Sequence, residues 1–184
     1  ADPHLSPTGR GTWKVYHRST QRLRAALAAA DRCRADAVLA LGDLTRDGRP
    51  AQFEAIDAAI RRLDAPLLAV PGNHDVPKEW DDHETPAPAA FAKRYARGRY
   101  PDLVGVGGVD VVLLDTASAG GDLADTGRGR ATEADLARLD DALSAARTPV
   151  VCLHHPLGRS SAVGETDDDL GPVGNAASLR SVLA

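Results

Sequence analysis

Several features that would decide the class of this protein at once are missing or scarce. Among 184 residues there are only two cysteines, Cys33 and Cys152. One falls in an expected helix and the other in an expected buried strand, so they form neither a disulfide framework nor a CxxC metal pair. Reduced thiols, and with them a cytoplasmic location, are the expectation. No run of about 18 apolar residues occurs, and no basic segment followed by an apolar stretch opens the sequence, so a soluble, unsecreted chain without a membrane partner is expected. A basic excess is also absent. Lys and Arg number 22 against 26 Asp and Glu, for a net charge of −4. This argues against a nucleic-acid binder held by a broad basic surface, because affinity for phosphate backbones needs clustered Lys and Arg. An anionic substrate would therefore need a local attractor. Lysine is limited to Lys14, Lys78 and Lys93, and Asp outnumbers Glu, a pattern read as the coding bias of a GC-rich genome. Adaptation to high salt would bring a much larger acidic excess. There is no internal repeat. Nothing in the composition fixes the oligomeric state.

What is present is ordinary globular material, 43% hydrophobic and 26% charged, in a length that suits a single domain over residues 1–184. Short apolar runs rich in Val and Leu recur at 37–41, 67–70, 109–114 and 149–153, as buried parallel strands require. Amphipathic stretches separate them. Residues 18–32 place Leu23, Ala26, Leu27 and Ala30 on one face, and residues 51–63 do the same with Phe53, Ile56, Ile60 and Leu63. Thr132 with Asp135 opens a third helix as a capping-box pair, and Asn175 is expected to cap a fourth over 175–184. Strands alternating with helices predict an α/β layered fold, in which ligands bind beyond the carboxyl ends of the strands. Residues 76–102 break the rhythm with Trp80, several acids, Pro86 and Pro88, then Phe91 and Tyr95 at helical spacing. They are expected to form a cap or lid over that crevice.

Four polar clusters fall where strands end. They are Asp2-x-His4, Gly42-Asp43, Gly72-Asn73-His74-Asp75 and His154-His155-Pro156. Carboxylate, imidazole and amide oxygen are donors suited to Mn, Fe, Zn or a similar divalent ion, and a carboxylate can bridge two such ions. Each cluster alone has a bland explanation, since Asp caps loops, Gly-Asn makes turns and a histidine can sit satisfied in a core. Four strand-end clusters of ligand types together outweigh those explanations. His17 and His83 fall outside the pattern and read as surface residues, and Asp167-Asp168-Asp169 reads as a solvated charge run.

The ordered set resembles the calcineurin-like metallophosphoesterase family, whose signature runs D-x-H, G-D, G-N-H-D/E, H and finally G-H-x-H. Four of these five blocks are present in order, from Asp2 to about His155. The resemblance implies an αββα sandwich and two divalent metal ions. Asp2 and His4 would hold the first ion, Asp43 would bridge, and Asn73 with His154 would hold the second. His154 is favoured over His155 because the family pattern is H-x-P, with Pro156 fixing the frame. His74 would act on the phosphate or the leaving group, with Asp75 orienting its ring. The G-H-x-H block and the strand before Asp2 are expected in a longer protein of which this chain is the larger part. The implied reaction is hydrolysis of a phosphomonoester or phosphodiester by metal-activated water. Gly42-Asp-Leu-Thr-Arg-Asp-Gly48 with His154-His155-Pro156 looks like the cyclic-nucleotide phosphodiesterase branch, and a nucleotide pyrophosphatase or a non-catalytic protein-binding scaffold are the alternatives. The expected partner is a small phosphate ester, a nucleotide among the candidates, with nucleic acid disfavoured.

Overall fold

A computed structural model describes residues 1–6, 15–119, 127–158 and 173–184. The expected charge run at 167–169 lies outside these residues. A short 3₁₀ turn, Tyr16–Arg18, leads into α1, Ser19–Arg32. Strand β1, Val38–Leu41, is followed by α2, Pro50–Ile60, and β2, Leu67–Val70. Helix α3, Pro88–Tyr95, precedes the pair β3, Asp102–Val106, and β4, Val109–Leu113. Then come α4, Glu133–Ala145, β5, Pro149–Cys152, and α5, Ala176–Leu183. Parallel β1 and β2 form one sheet, and β3-β4-β5 form a second in which β4 pairs antiparallel with β3 and parallel with β5. The β3-β4 turn is Gly107-Gly108, both at positive φ (56° and 87°), as a tight two-residue hairpin requires.

The alternation of side chains along each strand explains why the sheets stack. Leu68 and Val70 face Val111, Leu113 and Cys152 of the other sheet, with Leu39 and Leu41 packed against them. The intervening residues point the other way. Ala69 lies among Phe53 and Ile56 of α2 and Phe91 and Tyr95 of α3, and Val112 and Leu114 lie among Leu136 and Leu139 of α4 and Leu179 of α5. Two apolar faces per strand thus give four layers, helices outside and sheets within. The expected layered α/β fold is the observed one.

Within residues 76–102, helix α3 packs into the core. Phe91 is buried in the helix layer with its ring 6.1 Å from that of Phe53, and the Tyr95 hydroxyl donates to Asp57 at 3.0 Å. Strand β3 is one the sequence did not suggest. Asn175 stands at the N-cap position of α5, but its amide is spent elsewhere, donating to the Ala131 carbonyl (2.7 Å) and accepting from the Ala131 N–H (3.2 Å). The Thr132–Asp135 capping box is formed as expected. No described helix is long and apolar enough to cross a membrane.

Candidate metal centre

The carboxyl ends of β1, β2 and β5 converge on one rim, each strand delivering a polar cluster as it leaves the sheet. Residues 2–5 join them by running parallel to 42–45. Asp2, His4 and Leu5 donate their N–H groups to the carbonyls of Gly42, Asp43 and Leu44 at 3.1, 2.9 and 2.8 Å. The backbone here is unusual. Among the described residues four non-glycine positions have positive φ, and three of them are Asp2 (56°), His4 (41°) and Asp43 (51°). Such conformations cost about 1–3 kcal/mol each and persist where the surroundings impose them, typically at functional sites. Glycine supplies the closeness. A Cβ on Gly72 would lie 2.1 Å from Asp43 Oδ1, and one on Gly42 would lie 2.5 Å from His154 Nδ1.

At the rim the expected ligands meet. His4, Asp43 and His74 offer ligand atoms that all lie within 4.8 Å of one another, and so do Asp2, Asp43 and His154. Asp43, 4% exposed, is the member common to both groups, which is the position a bridging carboxylate must occupy. His4 Nε2 is 3.4 Å from Asp43 Oδ2, and His154 Nε2 is 3.6 Å from Oδ1 and 3.3 Å from Asn73 Oδ1. The grouping differs from the one the resemblance implied, because Asp2 and His4 fall in different groups and the His74 ring joins that of His4.

Hydrogen bonding shows what the site is prepared to hold. His154 Nδ1 lies 2.9 Å from the Leu41 carbonyl. A carbonyl only accepts, so Nδ1 carries a proton, and Nε2 is the ring nitrogen turned to the oxygens of Asp43 and Asn73. Oxygens gathered in this way favour positive charge among them. A divalent ion satisfies all of them at once, and the donor set of carboxylate, imidazole and amide oxygen fits one.

Asp75 takes a part that the sequence did not suggest. The ring of His74 is fixed by the Arg46 carbonyl, 2.6 Å from Nδ1, and not by Asp75. The Asp75 carboxylate is fully buried and accepts from the N–H groups of Leu44, Thr45 and Gly72 and from the Thr45 hydroxyl, at 3.0, 2.8, 3.1 and 2.8 Å. It ties the loop after β1 to the loop after β2. Burial raises its pKa to about 6 and the Asp43 charge adds to the rise, against the lowering effect of the backbone donors. His155 is the other residue given no role. It is buried against Gly129, its Nδ1 is 2.8 Å from the Thr116 hydroxyl, and its ring stands edge-on to that of His154 at 4.8 Å. His83 is no simple surface residue, since its Nε2 donates to the Asp47 carbonyl at 2.6 Å.

A four-layer α/β sandwich with carboxylates and imidazoles gathered at its strand ends defines a scaffold for metal-assisted hydrolysis. The sequence profile of the calcineurin-like phosphoesterases matches residues 1–177, and the chain belongs to that family. Its fold is similar to that of a dimetal phosphatase from Danio rerio, with a TM-score of 0.71 and 15% identity over 99% of this chain and 74% of the other. A probable cyclic nucleotide phosphodiesterase of Synechococcus sp. is 42% identical over 43 residues, which is 23% of this chain and 17% of that protein's length.

Proposed function

We propose that the protein is a binuclear metal-dependent phosphoesterase and that its substrate is a small phosphodiester of the cyclic-nucleotide kind. The observation that carries the first part is His154 Nε2 gathered with the oxygens of Asp43 and Asn73. Asp2, His4, Asp43, Asn73 and His154 would hold the ions, with Asp43 between them. When bound, two such ions activate water and neutralise the charge that develops on the phosphoryl group. The protein's own groups do the rest. His74, held through Nδ1–H by the Arg46 carbonyl, turns Nε2 toward the site and can donate from it to a leaving oxygen only after taking up a proton. Asp75 keeps the two ligand loops in register. The local likeness to the cyanobacterial protein supports the cyclic-nucleotide part, and the family membership supports the phosphoesterase part. The test is an assay of the Mn-loaded protein against bis(p-nitrophenyl) phosphate and a 3′,5′-cyclic nucleotide. Metal-dependent hydrolysis of both is expected. Turnover of the first without the second would narrow the reading to a general phosphodiesterase, and no turnover of any phosphoester would favour a protein-binding scaffold.

A further inference from the structure

We propose that Arg46 is a substrate-binding residue of this centre, its guanidinium braced on Tyr16 and offered to the oxygens of the phosphoryl group. The inference rests on the phosphoesterase reading and adds the residue that meets the substrate's negative charge.

Arg46 is fixed at its backbone and open at its tip. Its N–H donates to the Leu5 carbonyl at 3.2 Å, and its carbonyl accepts from His74 Nδ1 at 2.6 Å. The residue therefore sits between the two segments that carry His4 and His74. From that anchor the side chain lies over Tyr16, with Cζ 4.7 Å from the ring centroid. The Tyr16 ring meets the His4 ring edge-on at 5.7 Å, and His4 meets His74 in the same manner at 4.7 Å. Arg46, Tyr16, His4 and His74 form one continuous group of planar side chains at the rim.

The competing explanation is a surface ion pair with Asp47, and the distances weaken it. Arg46 Nε is 3.5 Å from Asp47 Oδ1, and both side chains are about a third exposed, at 32% and 35%. That is long for a hydrogen bond, and such exposed pairs contribute little. The other Asp47 oxygen is already engaged by Gln52 Nε2 at 2.8 Å. Both Nη groups of Arg46 are left without a hydrogen bond to any described residue. Lys78, by contrast, is committed, since Nζ donates to the carbonyls of Asn73 and Val76, each at 3.3 Å, and lies 3.8 Å from Asp81. In a chain of net charge −4, Arg46 is, among the described residues, a cation beside this rim with donors to spare. A guanidinium stacked on an aromatic ring is preorganised, and its planar donors match phosphate oxygens in pairs.

Calorimetric titration of the Mn-loaded protein with inorganic phosphate tests the assignment, alongside metal content and the kinetics of p-nitrophenyl phosphate hydrolysis. Arg46→Ala keeps the main-chain carbonyl that holds His74, so metal content should equal that of wild type. Phosphate affinity should fall by about tenfold to a hundredfold, the usual worth of a charge-assisted contact, with the loss appearing mainly in KM. Tyr16→Leu, which removes the ring that braces the guanidinium, should fall between wild type and Arg46→Ala in phosphate affinity. Unchanged phosphate affinity in Arg46→Ala, or loss of metal from it, would overturn the proposal. Phosphate affinity in Tyr16→Leu equal to that of wild type would overturn the bracing. A metal-loaded wild type that binds no phosphate would instead overturn the underlying reading.

Discussion

At the scale of single residues, the ligand types were visible in the sequence and the groups that aim them were not. Asp43, Asn73 and His154 could be found because a carboxylate, an amide and an imidazole each followed an apolar run. The acceptors that fix the rings of His154 and His74 are the carbonyls of Leu41 and Arg46, and a main-chain carbonyl leaves no trace in residue identity. Asp75 was misjudged for a related reason. Its closeness in sequence to His74 suggested that it orients the ring, whereas the turn aims its carboxylate at the backbone of residues 44, 45 and 72. The role of His74 can be tested directly. His74→Ala should retain both ions and lose about 10² to 10⁴ in turnover, the range for a general acid or transition-state donor. The loss should shrink as the leaving group improves, because a good leaving group needs little protonation. Its placement with His4 and Asp43 makes metal content the deciding readout, since a variant that lost an ion would show His74 to be a ligand.

At the scale of elements, the strands that carry the site were legible because each is a short, unbroken apolar run, and β1, β2, β4 and β5 fall within a residue or two of their expected bounds. The missed strand, β3, reads Asp-Leu-Val-Gly-Val, and its polar start and internal glycine hide the run. The prolines and acids before helix α3 resemble a surface insertion. Its sequence spacing was correct, and its destination was the core. Burial decides between the two: Phe91 is 2% exposed and Tyr95 3%, against Phe53 and Ile56 of α2. Burial drives the Tyr95 phenol far above its ordinary pKa, with the Asp57 charge next in effect, as befits a core residue. Phe91→Ala should therefore destabilise the protein by about 3–5 kcal/mol, the usual cost of truncating a buried aromatic. Denaturant melts of wild type and variant would measure this. A loss below about 1 kcal/mol would contradict this, because an exposed flap contributes little to the global transition.

At the scale of the whole molecule, the fold gathers the candidate metal ligands of a mildly acidic chain at one rim. Two stacked sheets bring segments distant in sequence to one rim, Gly42 and Gly72 let them approach, and Asp43 lies where both groups of ligand atoms overlap. The central claim is that this rim holds two divalent ions around Asp43. Elemental analysis of the Mn-reconstituted protein, wild type beside Asp43→Ala and Asp2→Ala, tests it most directly. The account predicts about two ions per chain in wild type, a smaller loss in Asp2→Ala because a terminal ligand serves one ion, and fewer than one ion in Asp43→Ala. Fewer than one ion per chain in wild type, or full occupancy in Asp43→Ala, would contradict it.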